Sequence, residues 1–183
     1  MSLKRNLQDR QNAADFYETE RLILRPMSPE DAGFILDLYN RPKFIRFIGN
    51  RNLKTIADAE DYIRNRFLPQ FEKLGYGNYV MITKEGDHKI GGVGIFEREG
   101  LDVVDIGFSL LDEFEGQGYA YEAAAKIKSV GMDEFGLTKI SAITTKDNFS
   151  SQKLIEKLGL QFRKYVMIPD DPEELMYYET DSF

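Results

Sequence analysis

The chain has no cysteine and only one histidine, His88. Without cysteine there can be no disulfide, no thiolate metal site and no covalent intermediate on a sulfur nucleophile. The absence also fits a reducing compartment. A single histidine cannot build a multi-histidine metal centre, and its setting, Glu85-Gly86-Asp87-His88-Lys89 between two strand-like runs, predicts an exposed hairpin loop rather than a Ser-His-Asp triad. No metal is expected. Nothing approaches the roughly 18 consecutive apolar residues of a membrane span, and the N-terminus lacks the apolar stretch of a secretory signal. The expectation is a cytoplasmic protein with no membrane partner.

Positive charge is also scarce overall, and a net charge of −7 argues against broad nucleic-acid binding, which requires a basic face. The charge is unevenly spread. Residues 41–54 carry five basic groups and no acid, whereas 170–181 carry six acids and no base. Two solvated surface segments would account for this; a basic run that meets a phosphate and an acidic tail that attracts a cationic acceptor would account for it equally.

What is present suits one globular domain: 183 residues, 42% apolar and 30% charged. Residues 1–16 read as a polar N-terminal arm and 17–183 as the domain. Glu20 to Arg25 predicts a strand stopped by Pro26, and Ser28-Pro29-Glu30-Asp31 a helix start capped by Ser28, followed by an apolar stripe at Phe34, Ile35 and Leu38. A second helix is expected over about Thr55 to Leu74 on Ile56, Ala59, Ile63, Phe67 and Phe71, with Pro69 kinking or ending it. The period then shortens. Tyr79–Thr83, Ile90–Phe96 and Val103–Leu111 predict an antiparallel meander of strands. A helix at about 118–135, a strand at 139–145, a helix at 149–158, a strand at 161–168 and a last strand near 174–179 complete an α+β domain whose mixed sheet is flanked by helices.

The stretch Phe114-Glu115-Gly116-Gln117-Gly118-Tyr119-Ala120 stands between a strand and a helix. Such a loop presents unsatisfied backbone N–H groups at the positive end of the helix dipole, and glycines there permit unusual backbone angles and close approach. It is either a plain turn or an anion cradle. It lacks the Gly-Lys-Ser/Thr ending of a P-loop and is not the first turn of a dinucleotide-binding unit.

A second run, Asn148-Phe149-Ser150-Ser151-Gln152-Lys153-Leu154-Ile155-Glu156-Lys157-Leu158-Gly159, completes a pattern. Together with the element order, the GQGYA loop, the ERLILRP opening and the DIGFSL strand, it resembles the GNAT superfamily of acetyl-CoA-dependent N-acetyltransferases, in particular the Rim-type ribosomal-protein branch. The resemblance covers about residues 17–168. It implies a mostly antiparallel sheet with splayed central strands and acetyl-CoA between them, lined by Phe108, Ser109, Leu110, Glu115, Gly116, Gln117, Gly118, Tyr119, Ala120, Asn148 and Ser151. An amine acceptor, either a protein N-terminus or a small amine, is the implied partner, and a homodimer is compatible with the family.

The chain departs from the family at two positions. Glu115 stands where members often have Gln or Arg, and Ile155 where many have the tyrosine that protonates the departing thiolate; Ser151 is the substitute expected as acid. For the base, strand alternation puts Val103, Asp105, Gly107 and Ser109 on the less apolar face. Asp105 is the candidate, with Glu97 or a water relay as the alternative, and it equally fits a hydrogen-bonded strand residue. Asn148 serves as a helix cap, as a cofactor contact or as both. Glu122 reads as structural, and Tyr119, Tyr121, Tyr177 and Tyr178 as packing residues, with an aromatic wall beside the acceptor as the other reading. A backbone N–H near the end of the DIGFSLL strand is the expected oxyanion donor. The enzyme reading competes with a non-catalytic acyl-CoA-binding or sensing module of the same fold.

Overall fold

Strand pairing organises this chain around a single sheet. The computed structural model describes residues 16–169 and 171–182, so the expected arm at 1–16 lies, apart from Phe16, outside the described residues. Among the described residues eight strands run in the order β1(Tyr17–Glu18), β2(Leu22–Pro26), β3(Asn78–Thr83), β4(Lys89–Phe96), β5(Asp105–Leu110), β6(Ser141–Thr144), β8(Leu175–Glu179) and β7(Gln161–Val166). The meander β3–β4–β5 is antiparallel as expected, with Gly94 opposite Gly107 and Gly91 opposite Leu110. Among the described strands only β5 and β6 pair in parallel, because helix α5(Tyr119–Asp133) crosses between them and returns the chain to the end of the sheet at which β5 began.

That parallel pair touches at one register position, Asp105 against Ser141, and then diverges. The sheet therefore splits at its centre. On one face α5 buries Ala123, Ala124, Ile127 and Val130 against Leu22, Leu24, Met81, Ile95 and Ile106. On the other, α1(Ala32–Tyr39) and α3(Ile56–Tyr62) enclose Met27, Ile35, Ala59 and Val80. Helix α6(Phe149–Lys157) places Ile155, 1% exposed, in the first of these cores.

Asp31 anchors the start of α1. It is fully buried, accepts from the Ser28 amide at 2.9 Å, and pairs with Arg25 at 2.8 Å and Lys89 at 2.7 Å. Burial pushes its carboxyl up, but the hydrogen bonds from Arg25, Lys89 and Ser28 outweigh it and hold the pKa below the ordinary value.

The helix expected over 55–74 is interrupted just before Pro69: α3 passes through a wide turn at Ile63–Phe67, in which the Leu68 amide reaches back to the Ile63 carbonyl, into α4(Leu68–Leu74). The wide turn lets Pro69, which has no N–H to give, occupy the first turn of a new helical segment. The basic segment also contains an unforeseen short helix, α2(Pro42–Phe47), that buries only Phe44. Six residues with one buried side chain leave no helical period to read. The short strand β1 was likewise unforeseen. His88 is exposed in its hairpin, as expected, and no helix among the described residues is long and apolar enough to cross a membrane.

Candidate active site

The splay between β5 and β6 leaves backbone donors unused. Leu111 donates its amide to Ile90 at 2.8 Å, so by strand alternation positions 105, 107, 109 and 111 turn their amides toward β4. Phe108 and Leu110 turn theirs toward β6. Since β6 has already left the ladder, these two N–H groups have no strand partner and point into the cleft. Ser109, by contrast, gives its backbone to β4.

Asp105 sits at the closed end of this cleft. It is 1% exposed, and Arg98, on the loop after β4, donates from Nε to its Oδ2 at 2.7 Å. Its Oδ1 is buried without a hydrogen bond of good geometry among the described residues. The Ile143 amide on β6 faces the carboxyl and adds a weak preference for the charged form. Burial dominates, only partly offset by Arg98, and pushes the carboxyl up to about 6. Ser141 and Tyr177 share this face; Tyr177 is 5% exposed and donates to Glu179 at 2.6 Å, and burial raises its phenol. Tyr178 turns the other way, into the core, and the exposed ring of Phe162 meets it edge-on at 5.8 Å. Glu97 is held elsewhere, in an exposed ion pair with Lys73 at 2.5 Å.

At the open end lies the glycine loop. Gly116 and Gly118 have φ of +71° and +83°, both left-handed, and Gly118 is the residue from which α5 starts. Open space surrounds the position a Cβ would take at Gly116. The loop that opens α5 thus carries no side chain at Gly116 or Gly118, and Arg21 Nη2 lies 3.4 Å from the point a Cβ on Gly118 would take.

Arg21, in the turn before β2, braces this loop, a role the sequence reading did not give it although it lies within the ERLILRP run. Its Nη1 donates to the Gln117 carbonyl at 2.9 Å, its Nε to Glu122 at 2.7 Å, and its guanidinium lies 4.3 Å from the centre of the Tyr119 ring. Glu122 also accepts from the Arg21 amide at 2.8 Å and from Thr19 at 2.5 Å. Burial raises its carboxyl, but these bonds together hold it below the ordinary value. Glu122 is structural, as expected. Arg21→Ala leaves that carboxylate, 18% exposed, without its cation, and is expected to lower stability by about 1–2 kcal/mol, measured by thermal melting.

Glu115 need not repel an anion, because Lys43 of α2 pairs with it. Three residues on, Arg46 pairs with Asp147 beyond β6 at 2.9 Å. Helix α2 thereby joins the loops that follow the two splayed strands. Arg41 is likewise paired, with Asp37 at 2.8 Å, so most of the basic run meets acids of the chain itself.

Asn148 caps α6, accepting from the Ser151 amide at 3.2 Å. Asp105 stands level with Ser141, whereas Ser151 follows the far end of β6, so the two lie at different depths of the cleft.

A family model described as acetyltransferase (GNAT) domain matches residues 21–161. The chain belongs to the GNAT family. Among curated relatives, the uncharacterized N-acetyltransferase YoaA of Bacillus subtilis (strain 168) is 29% identical over 88% of this chain and 93% of its own. The uncharacterized N-acetyltransferase p20 of Bacillus licheniformis is 30% identical over 78% of this chain and 80% of its own. Among solved structures, an acetyltransferase from Agrobacterium tumefaciens str. C58 superposes with a TM-score of 0.78 at 22% identity, covering 93% of this chain and 96% of that one. The ribosomal-protein-S5-alanine acetyltransferase of Vibrio fischeri superposes with a TM-score of 0.73 at 18% identity, covering 90% and 95%. These structural likenesses establish the GNAT fold, and acetyl transfer is the general activity of the family.

Proposed function

We propose that this GNAT domain moves the acetyl group of acetyl-CoA to a primary amine, of a protein N-terminus or a small molecule, by direct attack in a ternary complex. The observation that carries the reading is the cleft itself: two strand amides with no strand partner among the described residues, a buried carboxyl at its closed end and a left-handed glycine loop opening α5 at its open end.

The residues fit the cofactor's chemistry. The amides of residues 116–120 suit a pyrophosphate, and the Phe108 and Leu110 amides suit either the amide-rich arm or a carbonyl oxygen. Asn148, Ser151 and the side chains of Phe108, Ser109 and Leu110 complete the lining. When bound, acetyl-CoA supplies a thioester carbonyl and a thiolate leaving group whose conjugate acid has a pKa near 8.5 by analogy with cysteine.

Asp105 takes the proton of the attacking amine. A carboxyl raised to about 6 is a stronger base than an ordinary one and is still ionised at neutral pH. Arg98 holds Oδ2, which leaves Oδ1 for the substrate. The Phe108 amide stabilises negative charge developing on the carbonyl oxygen. Ser151 is the candidate acid, although a thiolate leaves readily enough for the step to proceed without one.

One observation favours the non-catalytic reading: Ile155, where many family members have a tyrosine, is buried in the core. Free-thiol release from acetyl-CoA, measured against N-terminal peptides, polyamines and other small amines, with calorimetry on the same sample, separates the two. Amine-dependent release is expected. Cofactor binding with no turnover on any amine would leave a sensing module, and absence of both would reduce the glycine loop to a turn.

A further inference from the structure

We infer that Arg98 is a positioning residue for the transfer: its guanidinium holds the Asp105 carboxylate by Oδ2, keeps it ionised and leaves Oδ1 to the attacking amine. This rests on the transferase reading above and names the residue that makes its base usable at neutral pH.

The hydrogen bonds around Asp105 single out Arg98. Asp105 stands level with Ser141 on β6, and Ser141 with Glu179 on β8, so the three side chains form a row on one face of the sheet. Such a row brings hydroxyls near the carboxylate, but their protons are engaged elsewhere. Ser141 Oγ donates to the Val103 carbonyl at 3.0 Å, with the Val104 carbonyl at 3.2 Å, and Tyr177 donates to Glu179 at 2.6 Å. The Ile143 amide contributes weakly. Among the described residues the strong donor to this carboxyl is therefore the Arg98 Nε–H, 2.7 Å from Oδ2.

Arg98 is held from two sides. Its guanidinium carbon lies 5.0 Å from the centre of the Phe96 ring, and Phe96 is the register partner of Asp105 across β4 and β5. Its carbonyl accepts from the Leu101 amide at 3.1 Å, closing a turn in which Gly100 has a φ of +88° and lies so near residues 168–169 that a Cβ there would come within 2.8 Å of Pro169 Cδ. A planar fork fixed in this way loses little further freedom when it grips a carboxylate. The Arg98 side chain is 28% exposed and that of Asp105 1%, so the cation reaches from solvent to a carboxyl that solvent does not reach.

The other titratable groups nearby do not supply that charge. Burial keeps Tyr177 neutral, and Glu179 is paired with Lys139 at 2.7 Å. Glu99 and Asp102, on the loop that carries Arg98, are exposed, and burial keeps Tyr39 of α1, which also faces Arg98, neutral. A buried carboxyl that loses its counter-charge takes up a proton. Asp105 already sits at about 6 with Arg98 in place, so without Arg98 it would be protonated at neutral pH and could accept nothing from an amine.

The test is the pH profile of kcat/KM for thiol release by the full chain, wild type against Arg98→Met, which keeps an unbranched stem over Phe96 and removes the charge. The amine's own ionisation enters both profiles equally and cancels in their ratio. The ratio of variant to wild type is expected to be about one-tenth or less at about pH 7 and to rise at least about tenfold by about pH 9, because each pKa unit changes the ionised fraction about tenfold. Acetyl-CoA affinity should stay within about twofold. Arg98→Lys restores the charge and should recover most of the activity with a flat ratio. In an Asp105→Asn background Arg98→Met should cost little further, because the carboxylate it acts through is gone. A ratio equally low at every pH would mark a structural role and overturn the inference, and so would a ratio near one throughout. Should Arg98→Met fail to fold, Arg98→Gln, which keeps a donor and drops the charge, takes its place. If no amine releases thiol, the transferase reading has failed, and the hold on Asp105 is read separately by NMR titration of isotope-labelled aspartate carboxyls, that of Asp105 being the signal missing in Asp105→Asn. A midpoint of about 6 that moves up by about one pH unit or more in Arg98→Met keeps the hold, and an unmoved midpoint removes it.

Discussion

Asp105→Asn is expected to lower kcat/KM for amine-dependent thiol release by about 10²–10⁴-fold, with acetyl-CoA affinity unchanged within about twofold. Asn keeps the shape and still accepts a hydrogen bond from Arg98, but it cannot take a proton. The pH profile distinguishes this from mere loss of packing. Because burial raises the Asp105 carboxyl to about 6, the wild-type kcat/KM should fall on the acid side with a midpoint near pH 6, and the variant's residual activity should lack that limb. Stability carries the same group with a definite sign. The carboxyl has an ordinary pKa of 3.8 when unfolded and about 6 when folded, so the native state binds the extra proton between these values. Its contribution is fully present below about pH 4 and is lost as pH rises through about 6. Asp31 and Glu122, both held below their ordinary values, contribute in the opposite sense, losing stability as pH falls through the acid range. Retention of near wild-type turnover by a folded Asp105→Asn protein would move the base to Glu97 or to a water relay.

Gly118→Glu should weaken acetyl-CoA binding at least about tenfold, roughly 1.4 kcal/mol. Two effects act together. A side chain at φ +83° costs about 1–2 kcal/mol of backbone strain, and a carboxylate placed among the α5 amides competes with the phosphates for them. The new Cβ would lie 3.4 Å from Arg21 Nη2, so the introduced carboxylate could also draw Arg21 away from Gln117. Gly118→Ala carries the strain without the charge, and its smaller loss of affinity measures that part alone. Calorimetry with acetyl-CoA reads both variants, and circular dichroism checks that each is folded. Unchanged affinity in a folded Gly118→Glu protein would reject the phosphate cradle.

The parts of the site that could be read from the sequence are those in which one short segment contains the whole signal. The GQGYA loop is one: its glycines, the strand before it and the helix after it are contiguous, and both glycines are left-handed in the structure. Asn148 is another, since a cap bonds an amide three residues away. The alternation around Asp105 correctly placed its side chain on the face opposite Ile106, but alternation alone left a solvated aspartate and a buried one equally open. Burial by β6, Arg98 and Tyr177 decided between them. Arg21 and Lys43 illustrate the limit. Each acts on the loop at 115–122 from a distant part of the chain, and no local period or propensity records such a pairing.

By itself, then, the sequence determined the absence of sulfur chemistry, the order of helices and strands through the central meander, and the loop that opens α5. Each of these depends on composition or on spacing within a few residues, where hydrophobic period and backbone freedom act directly. Tertiary structure alone decided that β5 and β6 share a single register position and then part, that Asp105 lies buried where they separate, and that α2 joins the loops beyond both strands. It also paired Arg41, Lys43 and Arg46 of the basic run with acids while leaving Arg51 and Lys54 without an ion pair among the described residues. These outcomes depend on which charges and strand edges meet across the fold, and a charge's solvation and partners are set only once those distant segments come together.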